Sequence, residues 1–153
     1  MTTPPMPVLA LTDPWIVLSQ DYARTAIRMR LQVGALRAVE VTLRRSLASV
    51  MRDSYPVGAH DVHVALDAPQ LEDGDLTALL RDLVGAVQVA DPSCRRLVYA
   101  VPVTDLAVMA AAERAGFRFV VDVDLDGEEL AMLVAEPDWV THVDADLERV
   151  PGT

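Results

Sequence analysis

From Arg24 to Leu43 the chain alternates apolar and polar residues twice in succession, and that period of two constrains the fold more than any other stretch. In Arg24–Val33, the residues Ile27, Met29, Leu31 and Val33 alternate with Arg28, Arg30 and Gln32. In Leu36–Leu43, Val39, Val41 and Leu43 alternate with Glu40 and Thr42. Successive side chains on a strand point to opposite faces, so each run predicts a half-buried strand. Val33-Gly34-Ala35 reads as the turn between them. The expected unit is a hairpin with one apolar and one polar face.

The rest of the chain extends this sheet. Ser46–Met51 reads as a helical turn and Tyr55-Pro56-Val57-Gly58 as a loop. Asp61–Leu66 is a third strand, with Val62, Val64 and Leu66 on one face and His63 on the other. The period then lengthens: Leu79, Leu80, Leu83, Val84 and Val87 form a helical stripe over Thr77–Val89, ended by Asp91-Pro92. Leu97–Val101 predicts a buried strand. Leu106–Ala115 predicts an Ala-rich helix closed by Gly116. Phe117–Val123 and Glu129–Ala135 flank Asp126-Gly127, a favoured hairpin dipeptide. The order β-β-β-α-β-α-β-β predicts an α/β fold with a mixed, mostly antiparallel sheet flanked by helices. Residues 1–23 are expected to be an N-terminal arm, loose over residues 1–7, with a first strand at Val8–Leu11. Residues 24–136 form the domain. Residues 137–153 form a mostly polar tail with Trp139 as its anchor; Trp15 is the corresponding aromatic at the front.

Charge and composition exclude several function classes. Of 153 residues, 52% are apolar, enough for a packed core. Acids outnumber bases 23 to 13, for a net charge of −10. Phosphate neutralisation needs clustered positive charge, so no nucleic-acid partner is expected. No apolar run has the length of a membrane span and no secretory leader is visible, so the expectation is a cytoplasmic chain with no membrane partner. Cys94 is the single cysteine, which excludes an internal disulfide and a cysteine zinc cluster. Arg95 and Arg96 beside it would lower its pKa, but no histidine is arranged to make it a nucleophile. His60, Asp61 and His63 lack a further ligand at useful spacing, and no metal is expected.

An ordered set of short segments points further. Val39-Glu40-Val41, Tyr55 to His63, Pro69 to Arg81, Ala90 to Arg96 and Glu113-Arg114-Ala115-Gly116-Phe117 resemble the GNAT (N-acetyltransferase) superfamily. In detail they resemble its siderophore-biosynthesis branch, which acylates lysine-type amines or hydroxylamines from acyl-CoA. The resemblance covers roughly residues 36–136. It implies that His63 faces the active site as general base, a role suited to imidazole near neutral pH. It also implies that acyl-CoA is the cosubstrate and that Leu71, Gly74, Leu76 and Thr77 lie in its binding loop.

The sequence departs from the pattern at three places. The diphosphate loop is normally Gly-rich, yet in Leu71-Glu72-Asp73-Gly74-Asp75-Leu76-Thr77 only Gly74 remains, among three acids. Those acids also read as first-turn capping residues of a helix. After Pro102, Val103 stands where the family has an active-site Asp; Asp105 is either its substitute or the cap of the second helix. At the front, the superfamily has a strand and two helices that form much of the acceptor site, and the residues before the hairpin are too few for both helices.

Three functions follow. The first is N-acylation of an amine on a siderophore or other natural-product intermediate, with His63 as base. The second is a repurposed biosynthetic enzyme without CoA, using His63 with Asp61, Glu40 or Tyr55 for a cyclisation, elimination or isomerisation. The third is a non-catalytic accessory module. The partners expected are a small-molecule substrate and either a second copy of the chain or a biosynthetic protein. The Arg24, Arg28 and Arg30 row is either a meeting point for an anionic ligand or a solvated strand face.

Overall fold

Alternation becomes a sheet when one face of a strand can be buried, and β-strands of this kind form the centre of a seven-stranded sheet among the described residues. The computed structural model describes residues 3–33, 38–49, 58–68 and 71–136. In chain order the elements are β1 (Ile16–Ala23), β2 (Ala26–Gln32), β3 (Val39–Arg45), a 3₁₀ turn (Ser46–Ala48), β4 (Val62–Asp67), α1 (Asp73–Ala90), β5 (Leu97–Pro102), α2 (Leu106–Arg114), β6 (Arg118–Leu125) and β7 (Glu128–Ala135). The strands lie side by side as β1-β2-β3-β4-β5-β7-β6. Every neighbouring pair is antiparallel except β4 and β5, which α1 connects as a parallel pair.

The predicted alternation sets the register. Ile27 pairs with Leu43, Met29 with Val41 and Leu31 with Val39, and all six are buried. Their face packs against α1 through Leu79, Leu80, Leu83 and Val87 and against α2 through Ala111 and Ala112, in one continuous cluster. Each fully buried Leu contributes roughly 1.5–3 kcal/mol of apolar transfer. Thr77 ties the two helices, donating to the Ala111 carbonyl at 2.9 Å. On the opposite face, among the described residues, a small cluster forms from Val98, Met132 and Val134, towards the β6 end.

Turn chemistry behaves as the sequence predicts. Gly116 takes φ +103° after α2, where a residue with a Cβ would be strained, and Phe117 N–H closes on the Ala112 carbonyl at 3.0 Å. Asp126 and Gly127 take φ 52° and 80°, the left-handed pair of a two-residue hairpin turn.

The front of the chain differs from expectation. Val8–Leu11 is not a strand; the first strand is β1, eight residues further on. It turns into β2 through Arg24-Thr25 alone, where the resemblance implies two helices. The arm before it is not loose over residues 3–7. Met6 and Leu9 are buried, Met6 N–H donates to the Arg24 carbonyl at 2.7 Å, and Trp15 donates from Nε1 to Asp82 Oδ2 at 2.8 Å on α1. The helix α1 begins at Asp73 rather than Thr77, because its first turn is polar and lies outside the apolar stripe. Tyr55, the 34–35 turn and Trp139 lie outside the described residues.

Candidate active site

His63 sits at the point where the sheet comes apart. β4 and β5 pair only as Val62 with Leu97, His63 with Val98 and Val64 with Tyr99. Both strands continue for three more residues, Ala65–Asp67 and Ala100–Pro102, without pairing to each other. A cleft of about 560 Å³ fills the gap. Residues of both alternating faces line it, His63, Ala65 and Ala100 from one and Val64, Tyr99 and Val101 from the other, so it passes between the strands rather than lying on one surface. The helix α1 leaves the end of β4 and α2 the end of β5, so the first turns of both stand at the mouth, represented by Asp73, Leu76, Asp105 and Val108.

The imidazole of His63 is half-buried, and its cross-strand neighbour on β3 is Arg44. Desolvation first, and the Arg44 guanidinium second, push its pKa down from 6.5 to about 4. The ring is therefore neutral near pH 7, and the same shift makes it a weaker base than a free imidazole. Tyr99 lines the same cleft and was hidden in the sequence by its apolar strand. Burial and the Asp105 carboxylate push its phenol up to about 12, and its ring meets Phe117 edge-on at 6.2 Å. The one available signal was a hydroxyl-bearing side chain inside a buried run.

The other nominated residues divide. Leu71 and Leu76 line the cleft. Thr77 does not; its hydroxyl is taken by Ala111. Gly74 is exposed, is not part of the lining, and a Cβ built there would meet no protein atom within 4 Å. Asp73 and Asp75 lie in the first turn of α1, where the acidic stretch was expected, while Glu72 at the N-cap makes no side-chain hydrogen bond to the helix. Asp105 does cap α2, accepting from Val108 N–H at 3.3 Å, and also lines the cleft. Val103 packs against the core.

Asp61 and Glu40 are not brought into the cleft. Asp61 is buried at the far end of β4, where Gly58 N–H donates to its carboxylate at 2.8 Å; burial raises its pKa against the lowering effects of that bond, Arg96 and Arg95. Glu40 is exposed and pairs with Arg30 at 3.8 Å. That far end is held by buried Arg45, which meets Asp91 at 2.8 Å and donates to the carbonyls of His60 at 2.8 Å and Pro5 at 2.7 Å. Asp91 is desolvated there, yet hydrogen bonds from His60 and Arg45 hold its pKa below the usual value. Cys94 corrects another expectation: burial pushes its thiol up to about 12, outweighing the nearby arginines.

The sequence matches no protein-family model and no curated protein. The structure matches an uncharacterized protein of Bacillus halodurans with TM-score 0.67 and 17% identity, over 74% of this chain and 60% of that one. It matches the aminoglycoside acetyltransferase AAC(6')-Ib, solved with coenzyme A and kanamycin, with TM-score 0.63 and 17% identity, over 77% and 70%. It matches RimJ of Mycobacterium smegmatis, solved with CoA-disulfide, with TM-score 0.57 and 12% identity, over 76% and 55%. The chain has the GNAT fold. It spans 60% of the length of the Bacillus halodurans protein. No helix among the described residues is long and apolar enough to cross a membrane.

The lining of the cleft divides between apolar walls and carboxylates. Leu66, Leu71, Leu76, Val101, Leu125 and Leu130 give apolar walls suited to an acylated pantetheine arm. Asp67, Asp73 and Asp105 also line the cleft, and carboxylates repel a diphosphate. The residues present therefore suit the thioester and not the diphosphate.

Proposed function

We propose that the chain is a small-molecule N-acyltransferase in which an acyl thioester enters between β4 and β5 and His63 is the general base. The carrying observation is the end of the β4–β5 ladder beyond Val64 and Tyr99, with a 560 Å³ cleft opening there against the imidazole. An amine that attacks the thioester carbonyl forms a C–N bond. The C–S bond breaks with its electron pair going to sulfur. The proton lost by nitrogen passes to the neutral imidazole and then to the departing thiolate. Acyl-CoA is the donor proposed from the fold, and AAC(6')-Ib and RimJ were both solved with CoA species. The acceptor proposed is an amine on a siderophore or other natural-product intermediate, supported by the segments between Val39 and Phe117 quoted above.

The acidic lining favours a second reading, a CoA-independent enzyme that retains His63 for acid–base chemistry. Calorimetric titration separates the two. Acetyl-CoA or S-acetylpantetheine should give saturable heat and a thermal shift, both weakened by filling the cleft with Ala65→Trp. No heat and no shift at millimolar concentration of either donor would remove the acyltransferase.

A further inference from the structure

The face that carries His63 holds a second hollow with a charge of its own. It has a volume of about 390 Å³ and is lined by Arg28, Thr42, Arg44, Ser49, His63 and Ala65, so it shares His63 and Ala65 with the cleft. The register explains the set. Arg28 lies across from Thr42, and Arg44 across from His63, so β2, β3 and β4 present these side chains on one face. Among the described residues no helix packs over them, and neither Arg28 nor Arg44 forms an ion pair, whereas Arg30, Arg45 and Arg118 do. Acids do share this face: Asp21 stands directly across from Arg28 and lines, with Arg28, Thr42 and Arg44, a neighbouring hollow, though it forms no ion pair with either arginine; Glu40 is held by Arg30, and Asp67 is at the cleft mouth. In a chain of net charge −10, two guanidinium groups without carboxylate partners border one concavity beside the imidazole.

We propose that this hollow is the acceptor site and that its acceptor is an amine tethered to an oxyanion, a carboxylate or a phosphate, held by Arg28 and Arg44 with its nitrogen against His63. The guanidinium fork matches either anion by paired N–H donors. A cationic acceptor meets like charge there. The term acceptor rests on the acyl-transfer reading; recognition of the oxyanion does not.

The test uses the intact chain and three amines at matched ionic strength: 4-aminobutyrate, 2-aminoethyl phosphate and 1,4-diaminobutane. The readouts are the NMR signals of the His63 ring and calorimetry. At least one of the two anionic amines should shift the ring signals saturably while the diamine leaves them unmoved, and the tighter one identifies the anion. Arg28→Gln and Arg44→Gln, each with unchanged circular dichroism, should weaken that binding about tenfold, the size expected for a lost hydrogen bond to a charged group. Because these are surface positions on a formed sheet, Arg28→Lys and Arg44→Lys serve as second variants that retain charge and should keep part of the affinity. The diamine binding as tightly as the anionic amines, or the Gln variants binding as wild type, overturns the proposal. Anion binding in a chain that takes no thioester donor leaves this inference standing and removes the acyl-transfer reading.

Discussion

On the helix side of the sheet, Ile27, Met29, Leu31, Val41, Leu43 and Val64 are buried beneath α1 and α2. On the other side the same three strands carry Arg28, Thr42, Arg44 and His63 around a hollow that no described helix covers. One alternating pattern thus makes two surfaces with different physics. The covered side is governed by apolar transfer and packing, where volume matters. The uncovered side is governed by partial desolvation and charge, which in that order lower the proton affinity of His63. Stability and chemistry are separated by the thickness of a strand.

The separation can be broken at its centre. His63→Gln should lower acyl transfer by about 10²–10⁴-fold, the usual contribution of a positioned base, with the melting temperature little changed. A variant that keeps full turnover would show that the imidazole is a bystander. On the covered side, Leu83→Ala should cost about 2–5 kcal/mol in denaturant unfolding, because a wholly buried side chain leaves a cavity. Arg28→Gln on the uncovered side should stay within about 0.5 kcal/mol of wild type in the same assay. Equal losses would erase the distinction.

Titration sharpens it. The unfolded imidazole takes a proton below about pH 6.5 and the folded one only below about 4. Between those values the unfolded state binds more protons, so this group makes stability rise with pH from about 4 to 6.5, with no contribution to the slope above. His63→Gln should remove that part of the slope. Arg44→Gln should move the folded titration upward, read directly from the His63 ring signals. The smallest effect belongs to the cleft mouth. Asp67→Asn and Asp73→Asn should each tighten acetyl-CoA binding about two- to fivefold, in line with one exposed charge beside a helix terminus.

Much of the fold was legible because burial on one face imposes a period that sequence displays. β2, β3 and β4 and both helices fall where the alternation and the stripe put them, apart from the polar first turn of α1. β1 was misplaced for the converse reason: nearly all of its residues are exposed, so Ile16–Ala23 carries no period to read. The site was less legible, because it depends on where a ladder stops. Nothing in Ala65–Asp67 or Ala100–Pro102 announces that these residues lack cross-strand partners in one another, since pairing joins positions 35 apart. Asp61 and Glu40 were nominated by nearness in sequence and by face. The loop at Gly58 and the guanidinium of Arg30 engage them instead.

The Arg24-Thr25 turn has a practical consequence. It is a two-residue link between β1 and β2, held by Met6 N–H on the Arg24 carbonyl and Arg45 N–H on the Thr25 carbonyl. Peptide segments grafted between these two residues would hang beside the arginine-lined hollow without interrupting any strand. Among the described residues no element roofs that hollow, and a library of inserts at a single position could be used to select which small molecules it admits.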